Sequence, residues 1–261
     1  MTLFFHELKR GRISLIIWTV AIAFMLGVCI VIYPEMSSQM GEISEMFANM
    51  GSFSAAFGMD ELNFGEFIGY FGVECGNVLG LGGAFFAAIL GVSALAKEEK
   101  ERTAELLLSH PISRARIITE KLLAVLTQIL ILNLVVAAVV AVTILAIGEK
   151  PDASVIALLL LAYFLLQIEI AAITFGISAF ISSGGLGIGL GVAVGLYFLN
   201  IIANLTEELE FLKWITPFGY TEGGDIVAEK ALNGGYLAVG ALLSTVGIAL
   251  AYVKYTKKDI A

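Results

Sequence analysis

The sequence is poor in charge, cysteine and histidine, and each shortage excludes a class of protein. Charged residues make up 15% of the 261 residues, against roughly 25% in a soluble domain. The two cysteines, Cys29 and Cys75, lie in separate apolar stretches, so the sequence predicts neither a disulfide framework nor a cysteine metal site. The two histidines, His6 and His110, are isolated from each other and from any paired nucleophile, which argues against histidine-based catalysis.

The sequence also lacks a phosphate-binding loop of the form GxxxxGK[ST]. Its glycine-rich candidate, residues 184–191, contains no lysine and opens an apolar run, which favours helix packing over phosphate binding. Five methionines in residues 36–59 have no histidine or cysteine among them, so they fit an adaptable apolar surface better than a Cu(I) site. We therefore expect no intrinsic catalytic site, no bound cofactor and no metal.

Apolar residues are abundant instead, at 59% of the chain with a mean hydropathy of +0.93. They form six runs long enough to cross the roughly 30 Å of a bilayer core as helices. The predicted spans are about 13–33, 67–96, 122–147, 154–181, 186–205 and 234–252. The sequence therefore predicts an all-α polytopic membrane protein whose residues 1–261 form a single domain.

Two of the connections between spans carry patterns of their own. Pro34 is expected to end the first helix, after which residues 35–50 divide into an apolar and a polar face and predict an amphipathic helix on the outer membrane surface. Residues 206–232 predict a polar, acidic outer segment that nevertheless contains Phe211, Trp214 and Phe218. This segment is expected to touch the membrane face.

Positive charge is distributed unequally between the two sides of the predicted bundle. Loops on the side of the termini hold 12 of the 15 Lys and Arg residues, whereas the opposite loops hold Lys150, Lys213 and Lys230. Because cytoplasmic loops are rich in Lys and Arg, both termini are predicted to lie in the cytoplasm.

Small residues recur at every fourth position in two spans. One series runs from Gly72 to Ala88 and the other comprises Gly187, Gly191 and Gly195. Such stripes allow a second helix to approach closely. They are candidate packing seams, either within one chain or between two.

The charged stretch 97–121 separates two apolar runs and is therefore a loop in water. It holds 6 of the 15 basic residues and 5 of the 23 acids. We expect residues 97–109 to continue the preceding helix, with Glu98 and Arg102 paired at i,i+4, and Pro111 to break it. Ser113 is expected to cap a new helix with an Arg116–Glu120 pair. The result is a helical elbow on the cytoplasmic side.

The stretch EKERTAELLLSHPISRARIITEKLLA, residues 99–124, resembles the cytoplasmic loop of permease subunits of the type-two ABC exporter superfamily, which includes drug, antibiotic and sodium efflux systems. Arg102 departs modestly from the family pattern, which often has Gly or His there. SAAFGMDELNFGEFIGY, WITPFGYTEGGDIVAEKALNGGYLAVG and YVKYTKKDI resemble further family segments in the same order. The resemblance covers most of the chain.

This resemblance implies that the elbow is a coupling helix that fits a groove on a separate ATPase subunit, where ATP and Mg are bound. The coupling residues that it implies are Glu99, Glu101, Arg102, Thr103, Glu105, Arg114 and Arg116. It further implies a second permease chain, as homodimer or heterodimer, in the plasma membrane of a prokaryote with lipid around it. The transported substrate is not implied, and nothing indicates nucleic acid.

Four polar residues lie inside predicted spans and are candidates for a transport path: Glu74, Asn77, Gln167 and Glu169. A carboxylate in the membrane is costly, so it either serves transport or belongs to a hydrogen-bonded structural pair. The alternative function that follows from the first role is a proton- or cation-coupled secondary transporter using Glu74 and Glu169. Such a transporter is expected to contain inverted repeats, and the two halves of this sequence show none.

Overall fold

The computed structural model describes residues 2–48, 62–63, 65–104, 112–182 and 185–258, with the backbone alone described for 38–48 and for residue 207. Helices account for nearly all of these residues. The helices are α1 (Thr2–Ala48), α2 (Phe67–Ser93), α3 (Lys97–Lys100), α4 (Arg114–Ile147), α5 (Ala153–Ser178), α6 (Leu186–Leu205), α7 (Gly223–Glu229) and α8 (Gly234–Lys257). Two 3-10 turns, Glu207–Trp214 and Pro217–Tyr220, connect α6 to α7.

Six of the described helices are long and apolar enough to span a membrane, which confirms the predicted all-α class and the number of spans. They are α1, α2, α4, α5, α6 and α8. The start of α1 and Lys258 at the end of α8 lie at one end of the bundle, together with α3 and the start of α4. We call this the terminal end, and the opposite end, which holds Asp152 and Lys230, the far end.

The expectation that Pro34 ends the first helix is wrong. Helix α1 runs without interruption through Pro34 for 47 residues, about 70 Å. A proline inside a helix frees the carbonyl four residues earlier, here that of Ile30, and such prolines are tolerated inside membrane helices. Residues 35–48 are therefore a continuation of α1 and not a separate amphipathic helix, and residues 49–50 lie outside the described residues.

Helix α2 is not a uniform α-helix. A π-helical segment at Gly76–Leu81 separates α-helical Phe67–Cys75 from Gly82–Ser93. The segment lies where α2 meets Tyr163 of α5: a Cβ added at Gly80 would be 2.8 Å from the Tyr163 ring. The series beginning at Gly72 is thus a packing seam within this chain, as one of the two sequence-based alternatives held.

The core forms where α2 and α5 pack together, with α1 on α4 and α8 on the outer side of α5. Helices α5 and α8 approach until a Cβ at Gly176 would be 2.6 Å from the Gly247 carbonyl oxygen. Such contacts bring backbones close and compensate for the missing hydrophobic drive between helices in lipid.

Large apolar side chains cover the outer surfaces of the spanning helices. Phe24, Leu145 and Leu242 are each more than 60% exposed, as expected of lipid-facing residues. The second glycine series is different, since Gly187, Gly191 and Gly195 have no other part of the described chain within 4 Å of an added Cβ. That face of α6 is therefore not packed against any of the residues that the structure describes.

The segment after α6 folds back against the bundle instead of extending into solvent. Thr216 caps the turn Pro217–Tyr220 by accepting from the Phe218 amide, and its hydroxyl donates to the Leu196 carbonyl at 2.8 Å. Phe218 and Tyr220 are buried. The aromatic residues of the predicted outer segment thus fall into a buried and an exposed group, and Phe211 and Trp214 belong to the exposed one.

Candidate functional site

The charged loop leaves α2 through a short and broken helical path. After the turn 94–96, α3 contains only Lys97–Lys100, and Arg102 adopts a left-handed backbone with φ of 57°. The predicted continuous helix over 97–109 is therefore wrong, because the helix ends at Lys100. The Thr103 amide then bonds back to the Glu98 carbonyl at 2.9 Å, which closes the turn. Residues 105–111, with Glu105 and Pro111, lie outside the described residues.

Lys121 is the centre of a buried ion-pair cluster at the terminal end. Its side chain is 1% exposed, and its Nζ bonds to the Glu98 carboxylate, to Glu7 at 3.3 Å and to the Ala94 carbonyl at 2.7 Å. The expected Glu98–Arg102 pair is thus replaced by one that crosses from α3 to α4. Since Glu7 belongs to α1, a single ammonium group joins the loop to two membrane helices.

Two further ion pairs hold the loop from other sides. Arg10 of α1 pairs with Glu101. Lys258, at the end of the chain, lies 2.5 Å from a Glu99 carboxylate oxygen and donates to the Ile181 carbonyl at 3.2 Å. The first half of the loop is consequently attached to both terminal segments of the chain.

Helix α4 begins as predicted. The Ser113 hydroxyl accepts from the Arg116 amide at 3.3 Å, and Arg116 Nε donates to Glu120 Oε1 at 2.8 Å. The other Glu120 oxygen accepts from the Phe4 amide at 3.1 Å. This carboxylate therefore satisfies an amide in the first turn of α1, where the amides have no acceptor within the helix. The Arg116 side chain is 59% exposed, which leaves it available to a partner.

Arg114 holds the C-terminal end of α8. Its Nη1 donates to the carbonyl oxygens of Lys258 at 2.5 Å, Thr256 at 3.2 Å and Tyr255 at 3.3 Å. A guanidinium group at a helix C-terminus satisfies carbonyls that have no helical donor and complements the helix dipole. Arg114 therefore has a structural role that the sequence did not indicate.

A cavity of about 290 Å³ lies beside the cluster, between α1, α2, α4 and the start of α6. Its polar end includes Lys97 and Lys100, and its deeper wall includes Leu90, Val125 and Leu186. Burial, followed by the charges of neighbouring cations, lowers the pKa of Lys97. The loop thus borders an amphipathic space at the membrane boundary.

The predicted coupling residues therefore divide by their surroundings. Glu101, Arg102 and Arg116 are exposed, whereas Thr103 is half-buried and Glu99 and Arg114 are engaged with the C-terminal tail. Four residues organise the loop: Glu7, Glu98, Lys121 and Lys258. The sequence predicted a pair for Glu98, but with Arg102, and predicted no contact for Glu7, Lys121 or Lys258. The one available signal was the position of Lys121 directly before an apolar span.

The polar residues of α5 form two separate hydrogen-bonded pairs. Gln167 is fully buried and accepts from the Asn133 amide of α4 at 2.7 Å. Glu169 is 3% exposed and accepts from the Tyr220 hydroxyl at 3.0 Å. A Cβ at Gly240 would be 2.2 Å from Glu169, so α8 closes over this carboxylate. These contacts favour the interpretation that Gln167 and Glu169 belong to hydrogen-bonded structural pairs.

Glu74 and Asn77 lie apart from both of these hydrogen-bonded pairs. The Cys29 thiol contacts a Glu74 carboxylate oxygen at 3.4 Å, whereas Asn77 is exposed and borders a small cavity at the far end. The structure thus places Glu74 and Glu169 beside different helices and joins neither to the other through the described hydrogen bonds. The rival hypothesis of a secondary transporter gains no support from this arrangement.

No curated protein matches the chain significantly. The family model for ABC-2 family transporter proteins matches residues 1–260, and the six described helices that could span a membrane agree with a transporter of this kind. In such a family the chain is a membrane transport component, which is not itself catalytic and works with an ABC ATPase subunit. The chain belongs to the ABC-2 transporter family.

Proposed function

We propose that this chain is a single-domain permease subunit of an ATP-driven exporter in a prokaryotic plasma membrane. A separate ATPase subunit would bind ATP and Mg, dock on the loop 97–121 and move the spans when it hydrolyses ATP. The observation that carries this proposal is the attachment of the loop to α1, α4 and the C-terminal tail through Lys121, Arg10 and Lys258. An ATPase that displaces the loop would displace these elements with it.

The topology of the proposal follows from charge. The terminal end carries 12 of the 15 basic residues, which favours the cytoplasmic side for both termini and for the loop. The exposed side chains of Glu101, Arg102 and Arg116 would then face the ATPase, and Arg116 is the best placed for a charge-assisted contact because most of its side chain is accessible. Glu105 and Thr103 remain predicted contacts within the same elbow.

Movement of the elbow would reach the spans by a short route. Lys121 is the eighth residue of α4, and Glu98 lies five residues beyond the end of α2, so the buried pair joins the terminal ends of the second and third spans. Separating a buried ion pair costs free energy because each charge would be left buried without a partner. The clamp therefore favours rigid movement of both helices over local bending of the loop.

A second permease chain would complete the path. The face of α6 with Gly187, Gly191 and Gly195 meets nothing in the described chain, and small residues of this kind suit a close helix-to-helix contact across a dimer axis. Helices α1 and α2 would flank the same axis. This arrangement accommodates either a second copy or a related chain.

The test is co-purification with a co-expressed ATPase that contains GxxxxGK[ST], followed by ATPase assay in liposomes. Arg116→Glu should weaken capture at least tenfold and lower the thermal midpoint of the permease only slightly, because the Arg116 side chain is exposed and such an ion pair contributes about 1 kcal/mol or less. Lys150→Glu, which reverses an exposed charge at the far end, is the matched control and should bind normally. Equal capture of wild type and Arg116→Glu would refute docking at this side chain, and failure of the wild type to bind any ATPase would refute the proposed function.

A further inference from the structure

The cavity of about 290 Å³ at the terminal end has a charged part and an apolar part, and the two follow each other in the same sense along neighbouring helices. On α4, Lys121 lies nearer the terminal end and Val125 lies one turn deeper in the bundle. On α2, Leu90 lies near the end of the helix, and Lys97 follows beyond that end, in α3. The cavity is therefore amphipathic along the direction in which a helix crosses the membrane.

Two cations in the lining of this cavity have no ion pair among the described residues. They are Lys97, which is half-buried, and Lys100, which is exposed. The two are three residues apart on α3, a spacing that places them on the same side of a helical turn. Burial, followed by the positive charge of Arg10, lowers the pKa of Lys97, so the Arg10 guanidinium lies close enough to repel this ammonium group. An anion bound among the three side chains would relieve that repulsion.

The carboxylates around the cavity already have cationic partners. Glu101 pairs with Arg10, and Glu7 and Glu98 both contact Lys121. Three carboxylates thus stand against the four cations of the lining, which leaves an excess of one positive charge. A phosphodiester carries one negative charge and would balance it. The Arg10 guanidinium can still contribute, because its Nη2 alone bonds to Glu101 and the group has five N–H donors.

The apolar part of the wall indicates what carries the phosphodiester. Leu186, at the start of α6, is 47% exposed, so the apolar wall formed with Leu90 and Val125 continues to the outer surface of the bundle. A small inorganic anion would leave this wall without an apolar partner. A phospholipid would place its phosphate at the membrane boundary and its acyl chains along apolar side chains, with which they bury apolar surface.

The size and position of the cavity agree with a lipid headgroup. Its volume is near the lower limit of small-molecule sites, so it holds a headgroup and leaves the acyl chains in the bilayer. Basic pockets between membrane helices at the boundary are typical sites for acidic headgroups. We propose that Arg10, Lys97 and Lys100 bind the phosphodiester headgroup of an anionic phospholipid in this cavity.

A lipid in this place would connect α1 to the charged loop, because Arg10 belongs to α1 and the two lysines belong to α3. It would supplement the Arg10–Glu101 pair, which joins the same two parts of the chain. The inference rests on the fold and on the lining of the cavity, and it holds whether or not an ATPase docks on the loop.

The test is equilibrium binding of phosphatidylglycerol with a fluorescent acyl chain to the purified full chain in detergent micelles. Binding to the wild type should saturate near one lipid per chain. Unlabelled phosphatidylglycerol should displace the probe, whereas phosphatidylcholine and inorganic phosphate at the same concentration should not. Lys97→Gln/Lys100→Gln should weaken binding at least tenfold, because two cations at the membrane boundary are lost.

Lys254→Gln/Lys257→Gln is the matched control. These lysines are also three residues apart and at the terminal end, but they are exposed on α8 and do not line the cavity. The control variant should bind the lipid as the wild type does. If Lys97→Gln/Lys100→Gln folds poorly, Lys100→Gln alone, which changes an exposed side chain, should weaken binding about threefold or more.

Three outcomes would overturn the proposal. Equal weakening in the two double variants would mean that the lipid is attracted to any exposed cation at the terminal end. Displacement of the probe by inorganic phosphate as readily as by phosphatidylglycerol would mean that the cavity takes a small anion. Absence of saturable binding to the wild type would mean that the cavity takes neither.

Discussion

Removing the ammonium group of Lys121 should destabilise the terminal end of the permease more than any change at its exposed charges. Lys121→Met leaves the Glu98 carboxylate, which is 8% exposed, without its cation, and Glu7 loses a partner 3.3 Å away. Loss of one member of a buried pair costs about 3–5 kcal/mol. For a chain of this size that corresponds to a fall of roughly 10 °C in the thermal midpoint.

The double variant Glu98→Gln/Lys121→Met separates electrostatics from packing. Because both buried charges are then absent, most of the lost stability should return, although Glu7 still lacks its partner. The assay is thermal unfolding in nanodiscs followed by tryptophan fluorescence. Arg116→Met, which removes an exposed side chain, is the control and should change the free energy of unfolding by about 1 kcal/mol or less. A Lys121→Met midpoint within 2 °C of wild type, by comparison with the roughly 10 °C expected, would refute the idea that this pair clamps the loop to the spans.

Three further predictions follow from individual contacts. Glu169→Gln should preserve both stability and transport, since the carbonyl oxygen of the glutamine can still accept from Tyr220. Tyr220→Phe removes that hydrogen bond and should cost about 1 kcal/mol of stability. Loss of transport in a stable Glu169→Gln would restore the transport-path hypothesis. Gly91→Ala should destabilise the fold by about 1–3 kcal/mol because its Cβ would lie 2.4 Å from the Ala171 carbonyl oxygen. Gly191→Ala, which has open space around its Cβ, is the control and should leave the stability of the single chain unchanged. Equal thermal midpoints for the two variants would contradict the packing of α2 on α5. Hydrogen bonds from Lys230 and Ser154 hold the pKa of Asp152 below its ordinary 3.8. The stability that this group contributes is therefore present above about pH 4 and is lost as the pH falls below it. Asp152→Asn should flatten the acid side of a plot of stability against pH, and an identical slope in the variant would argue against the Asp152–Lys230 pair.

The fold was predictable to the extent that hydropathy and helix caps determine it. Six apolar runs correspond to six spans, and Ser113 caps the start of α4 as expected because a serine hydroxyl is a strong N-cap. Pro34 misled, since a proline that ends helices in water is accommodated in a membrane helix by neighbouring groups. Local rules therefore succeed at helix starts and fail where the membrane changes the cost of a broken hydrogen bond.

The candidate site was predictable only as a region. Sequence proximity suggested that Glu98 would pair with Arg102, but the left-handed backbone at Arg102 turns the chain, and Glu98 pairs with Lys121 at 23 positions' distance. Nothing in the sequence relates Glu7 or Lys258 to the loop, because both contacts depend on how helices meet at the terminal end. Tertiary pairs of this kind have no local signature.

The same reasoning applies to Glu222 and the two asparagines that donate to it at the far end of the bundle. Asn200 and Glu222 are unremarkable in sequence, one at the end of an apolar run and the other within an acidic segment. Only the folding of that segment onto α6 brings the carboxylate to the two asparagines. Small-residue stripes, helix caps and spans are local properties of the sequence, whereas this contact exists only in the folded chain.

The central claim, that the charged loop receives an ATPase subunit, is tested most directly by site-specific cross-linking. In a background with Cys29→Ala and Cys75→Ala, a single cysteine at Arg102, which is exposed on the elbow, should form a cross-link with the co-expressed ATPase in membranes. The same cysteine placed at Lys150 of the far end should form none. Cross-linking at Lys150 but not at Arg102 would contradict the proposed orientation and coupling surface together.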